Sequence, residues 1–140
     1  MPIVRCAWLV PVLVAAMAGT AAAQAPTLPS DTLHAMSDID RSGIHRIMKK
    51  ALARVTDGTD YVHVSFDLDA VDPTVAPGVG TPVKGGLDYR EAHLIMELLH
   101  DSGAMTSLEM VEVNPILDDR NASGLFAVEL VQSAFGKKIL

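Results

Sequence analysis

The sequence predicts an α/β domain in which parallel strands are flanked by helices, part of a three-layer arrangement. Two short runs rich in β-branched and aromatic residues, 61–67 (YVHVSFD) and 106–113 (TSLEMVEV), supply the strands. Three stretches with apolar residues at helical spacing surround them, and this alternation is the pattern of parallel strands joined by helical crossovers. A length of 140 residues suits one small domain.

The first 25 residues read as a signal peptide. Arg5 gives a positively charged start, the stretch from Cys6 to Ala18 is uncharged and apolar, and small-x-small cleavage patterns end at Ala23 and Ala25. The apolar run falls short of the ~20 residues a membrane-spanning helix needs. This leader implies a periplasmic or secreted protein; a wrongly assigned start would leave a cytoplasmic one. A linker at 26–34 follows, then the α/β segment at 35–140.

Within that segment, Ser37 with Asp40 resembles a capping box. Ile39, Ile44, Ile47, Met48, Leu52 and Val55 predict a helix over 38–55, with Gly43 its weak point. Thr56 to Thr59 is a turn leading to the first strand. The segment 69–86, rich in proline and glycine, is an ordered loop. Asp88 and Glu91 form a second capping box, and Tyr89, Ala92, Ile95, Met96 and Leu99 predict a helix that ends at Ser102-Gly103. Asn114-Pro115 stops the second strand, and a last helix spans 123–135.

Composition removes several classes of function. The net charge is −6 and no run of Lys and Arg occurs, which argues against a nucleic-acid partner. The single cysteine, Cys6, lies in the leader, so the rest of the chain can hold neither a disulfide nor a thiolate-bound metal. Any metal must be held by oxygen or imidazole.

The sharpest chemical feature is Asp67-Leu68-Asp69. Alternation along a strand would point both carboxylates the same way at its C-terminal end, where open α/β sheets bind ligands. Two adjacent carboxylates stay ionised when a cation sits between them, and hard divalent ions such as Mn²⁺ or Mg²⁺ suit oxygen donors. On spacing alone a solvated acidic turn is the commoner outcome, because such pairs are frequent. His63 is expected as a hydrogen-bonded core histidine. His93 and His100, seven residues apart on one helix, are not expected to form a metal pair. Gly78, Gly80, Gly85 and Gly86 are expected to serve loop geometry.

The segment from Val62 to Glu91, VHVSFDLDAVDPTVAPGVGTPVKGGLDYRE, closely resembles the signature of the arginase/agmatinase (ureohydrolase) family. AMSDIDRSGI at 35–44, EMVEVNPILD at 109–118 and the VELVQSAFGKK tail extend the resemblance, which covers the C-terminal portion of such proteins. YRE at 89–91 and VEVNPILD at 111–118 look like arginase more than agmatinase.

The resemblance implies an arginase-like α/β fold and a binuclear manganese cluster with Asp67 and Asp69 among its ligands. It matches Glu112 to the glutamate that receives a guanidinium group, and Thr81 to a loop threonine near the substrate. It matches no residue of this chain to an acid–base role. The implied reaction is hydrolysis of L-arginine to ornithine and urea by a metal-activated hydroxide, in a homo-oligomer, trimeric or hexameric. Family members take their other metal ligands from upstream Gly-Gly-Asp-His and Asp-x-His-x-Asp motifs, and neither occurs in this sequence. The chain alone is therefore expected to be inactive. The alternatives are a non-catalytic remnant that binds metal weakly, or an agmatinase-like ureohydrolase.

Overall fold

The computed structural model describes residues 5–9, 12–17 and 33–139, with side chains from residue 35 onward. The helix expected over 38–55 is two helices, α1 (Met36–Ser42) and α2 (Ile44–Thr56). Gly43 separates them at φ 76°, a left-handed backbone that an L side chain resists. Its N–H still donates to the Ile39 carbonyl at 2.7 Å, so α1 ends with its last carbonyls partly satisfied. The capping contact lies two residues earlier than expected and is one-sided, because Ala35 has no side-chain acceptor. Asp38, not Asp40, accepts the Ala35 N–H at 3.0 Å, and Ser37 lies inside α1. Helix α2 buries Ile44, Ile47, Met48, Ala51 and Val55 along one stripe. Each of the larger side chains contributes about 1.5–3 kcal/mol by leaving water.

That stripe meets the strand β4 (Tyr61–Asp67), whose Val62, Val64 and Phe66 join the same core. Strand β5 (Met105–Val111) pairs with β4 in parallel, from His63↔Ser107 to Asp67↔Val111, after a register shift at Val62/His63. On its other edge β4 carries an antiparallel partner, which the sequence did not predict. Strands β1 (Arg5–Leu9) and β2 (Val12–Met17) form a hairpin, and β2 pairs with β4 from Val12↔Phe66 to Met17↔Tyr61. A short β3 (Leu33–His34) completes the order β3-β1-β2-β4-β5. An open strand edge is a template for pairing, and much of the apolar run read as a leader occupies it. The residues around the expected cleavage positions, Ala23 and Ala25, and most of the linker lie outside the described residues. Among the described residues no helix is long and apolar enough to cross a membrane.

Helix α3 (Tyr89–Ser102) starts as predicted. Asp88 accepts the Glu91 N–H at 2.7 Å while Glu91 accepts the Asp88 N–H at 3.1 Å, and Gly103 closes the helix in the left-handed region. Helix α4 (Ala122–Ala134) lies along α3. Two polar contacts fix the pair: His93 Nδ1 meets Ser133 Oγ at 2.8 Å, and the Tyr89 hydroxyl donates to Glu129 at 2.9 Å. The Tyr89 ring sits 4.5 Å from His93 and 5.3 Å from Phe126. The core histidine is thus His93, not His63. Burial of the His93 ring holds its pKa below the ordinary value, although Glu129 and Glu97 oppose the shift.

Candidate metal and substrate site

At the C-terminal end of β4 the chain turns at once into a single 3-10 turn, Leu68–Ala70. Asp67 caps that turn by accepting the Asp69 N–H at 2.9 Å. The two carboxylates therefore come together through a capped turn, not through strand alternation. Both line a cavity of ≈ 350 Å³ with Met36, Thr81, Val83 and Lys84. Burial raises the Asp67 pKa and the neighbouring Asp69 charge adds to the effect, against the lowering by the Asp69 N–H. Thr81 donates its hydroxyl to Asp69 Oδ2, and its N–H lies 3.4 Å from Oδ1. Asp67, Asp69 and Thr81, three of the residues singled out from sequence, thus share one site.

The loop that returns Thr81 to Asp69 is organised by Asp72. One oxygen accepts the Thr74 N–H at 2.9 Å and the Thr74 hydroxyl at 2.6 Å, and the other accepts the Gly85 N–H at 2.8 Å. These bonds, led by the Thr74 hydroxyl, hold the Asp72 pKa at about 2. Behind it, the Leu87 N–H donates to Ala70 at 2.8 Å and the Asp72 N–H to Leu87 at 2.9 Å. A Cβ on Gly86 would stand 2.5 Å from the Ala70 carbonyl oxygen, so only glycine fits this close approach.

Glu112 follows β5 with φ 62°, where a non-glycine residue is strained. Its carboxylate lies against Gly80, 3.5 Å from where a Cβ would sit, one residue before Thr81. The structure thus sets Glu112, on the connection after β5, against the residue before Thr81 on the loop after β4, without placing Glu112 in the Asp67–Asp69 cavity. Sequence reading missed the groups that hold this loop. The Asn114 N–H donates to the Gly78 carbonyl at 2.8 Å, and the Gly78 N–H donates to Ser123 Oγ at 2.6 Å. Asp118 accepts from the Ser123 hydroxyl at 2.8 Å and from the N–H groups of Ser123 and Gly124 at 3.0 and 3.1 Å. Burial alone would raise the Asp118 pKa, but these donors lower it on balance. The ILD sequence before a helix start could have suggested Asp118 as a cap; nothing local pointed to Gly78, 45 residues from Ser123.

The opposite end of the strand pair holds a second group of polar side chains. His63 Nδ1 meets Ser107 Oγ at 2.7 Å and its Nε2 lies 3.6 Å from Glu109, beside a cavity of ≈ 480 Å³. Hydrogen bonding to Ser65, opposed by desolvation and helped by His63, holds the Glu109 carboxyl below its usual range. Among the described residues, neither end gathers three or more His, Cys, Asp or Glu side chains into a metal-binding group.

A helix-flanked parallel strand pair with two carboxylates gathered at its C-terminal end defines an α/β protein with a candidate cation site. The family model for the arginase family matches residues 26–136, and the chain belongs to that family. The curated arginase of Bacillus subtilis (strain 168) is 54% identical over 108 residues, which cover 77% of this chain and 36% of that protein. A crystal structure of arginase from Bacillus subtilis, 54% identical, superposes with a TM-score of 0.74, covering 77% of this chain and 38% of that one. A formimidoylglutamase from Bacillus subtilis subsp. subtilis str. 168 shares the fold more distantly, at 30% identity and a TM-score of 0.70, over 73% of this chain and 32% of that one. The chain thus spans about a third of the length of its curated arginase relatives.

Proposed function

We propose that this chain is the C-terminal part of a manganese-dependent arginase, supplying two metal ligands and part of the substrate site for hydrolysis of L-arginine to ornithine and urea. The observation that carries this reading is the capped turn that sets Asp67 beside Asp69, with Thr81 bound to Asp69. Asp67 and Asp69 are the ligands. Glu112 receives the guanidinium group, since a carboxylate can accept paired hydrogen bonds from a planar cation. Thr81 lies beside the substrate.

The donors among the described residues do not fit a complete binuclear centre. They amount to two carboxylates with no third acidic, imidazole or thiolate group converging on them. A catalytic metal site needs several converging ligands and a supporting shell. By itself the chain therefore binds Mn²⁺ weakly and does not turn over arginine. That same shortage favours a second reading, a non-catalytic module that holds at most one ion loosely. The apolar leader adds a further proposal, export to the periplasm or beyond, which N-terminal sequencing of the chain recovered outside the cytoplasm tests.

Urea release from L-arginine with Mn²⁺, by the chain alone and mixed with the N-terminal part of the Bacillus subtilis arginase, separates the two functional readings. The arginase reading expects no release alone and release in the mixture that Asp67→Asn abolishes. An inactive mixture whose two parts associate would favour the non-catalytic module. Turnover by the chain alone, lost in Asp67→Asn, would overturn the claim that its own ligands are insufficient.

A further inference from the structure

The loop that brings Thr81 to Asp69 is held from behind by helix α4. Gly78 is fixed at both its backbone polar groups, by Ser123 Oγ at the N–H and by the Asn114 N–H at the carbonyl. It has no room for a side chain, because a Cβ would stand 2.5 Å from Asp118 Cβ and Cγ. The Ser123 hydroxyl is fully buried and makes two bonds, donating to Asp118 and accepting from Gly78. From Gly78 the chain reaches Gly80, against Glu112, and then Thr81 on Asp69 within three residues. So short a span passes the position of Gly78 on to both contacts. Helix α4 is itself anchored to α3 through His93–Ser133 and Tyr89–Glu129, so the support is rigid.

We infer that Ser123, fixed by Asp118, is a positioning residue for this site: its buried hydroxyl sets Gly78, and through it the span that places Thr81 on Asp69 and Gly80 against Glu112. A hydroxyl is required because the position needs an acceptor toward Gly78 and a donor toward Asp118 at once, which alanine cannot supply. An unsatisfied Gly78 N–H in this buried place would pull the loop toward water. The inference rests on the reading of Asp67, Asp69 and Thr81 as one site.

The test uses the ¹⁵N-labelled chain, with Ser123→Ala and Asp118→Asn as variants and Mn²⁺ as the probe. Amide exchange at Gly78 and Asn114 is expected to quicken at least tenfold in Ser123→Ala. It should quicken less in Asp118→Asn, which keeps the Ser123 hydroxyl. Exchange at Ile95 and Met96 in α3 should stay as in the parent. Mn²⁺ should broaden the Asp67, Asp69 and Thr81 amides in the parent, and in Ser123→Ala the broadening of Thr81 should fall relative to that of Asp67. Exchange that is unchanged at Gly78, or quickened equally in α3, would overturn the positioning role, as would equal broadening of Thr81 in both chains. An absence of broadening at Asp67 and Asp69 in the parent, with the local exchange effect intact, would instead overturn the reading of the site.

Discussion

From the N-terminal end of the β4–β5 pair to just past its middle, His63, Ser107, Ser65 and Glu109 satisfy one another across neighbouring strands. At the C-terminal end, two carboxylates are brought together by a turn and a returning loop, and burial makes one of them harder to ionise. Both ends have a cavity and acidic groups, and the N-terminal cavity is the larger. The difference lies in what the backbone does. The N-terminal group sits on paired strands whose one irregularity is the register shift at Val62/His63, and contacts across that pairing are sufficient explanation. The C-terminal group needs a 3-10 turn, a glycine with no room for a Cβ and a left-handed glutamate. Polar residues alone do not distinguish a site from a satisfied surface; the conformations maintained around them do.

The largest expected effect bears on this contrast directly. Asp69→Ala should weaken Mn²⁺ binding by roughly tenfold or more, given that even supporting groups around metals carry effects of that order. His63→Ala should leave it unchanged. Calorimetric titration of both variants would break the comparison if His63 mattered as much as Asp69.

Next come the glycines. Gly86→Ala should lower stability by ~1–3 kcal/mol, because its Cβ meets backbone that cannot move aside. Gly58→Ala, in the turn before β4, has open space and only a positive φ of 72° to contend with, and should cost about 1 kcal/mol. Urea melts that rank Gly58 above Gly86 would place the tighter constraint at the wrong end.

A smaller effect is set by pH. The Asp72 carboxyl has a folded pKa of about 2 against an ordinary 3.8. Its contribution is present above the unfolded value and is lost as pH falls from 3.8 toward 2. Asp72→Asn should therefore lower stability at neutral pH and flatten the acid side of the profile in that window. Equal acid sensitivity in parent and variant would show that the loop does not depend on this charge. The smallest effect belongs to the open end, where His63→Ala should change stability by less than about 1 kcal/mol, as partly exposed polar pairs do.

Sequence and structure agree where the signal is local. Asp88 and Glu91 announce the start of α3 three residues apart, and Gly43 marks the break between α1 and α2. The acidic pair at the end of β4 was legible as a pair, although its geometry was not: alternation predicts a strand, and Asp67 instead caps the turn that carries Asp69. Less was readable where contacts span the chain. Ser123 supports Gly78 from 45 residues away, and the strand β2 supplies an antiparallel edge where only parallel neighbours were expected. Nor does a side-chain pattern reveal that Glu112 departs from strand geometry, because backbone dihedrals leave no trace in hydrophobic periodicity.

The backbone at Glu112 has one more consequence. Asn or Gly would occupy φ 62° with less strain, and neither carries a charge. Selection for folding alone would favour replacing the glutamate, and selection for what its carboxylate does would keep it. Position 112 is thus where folding robustness and the role proposed for the carboxylate diverge: a library screened only for a higher melting temperature should enrich glycine there, and would discard the carboxylate proposed to receive the guanidinium group.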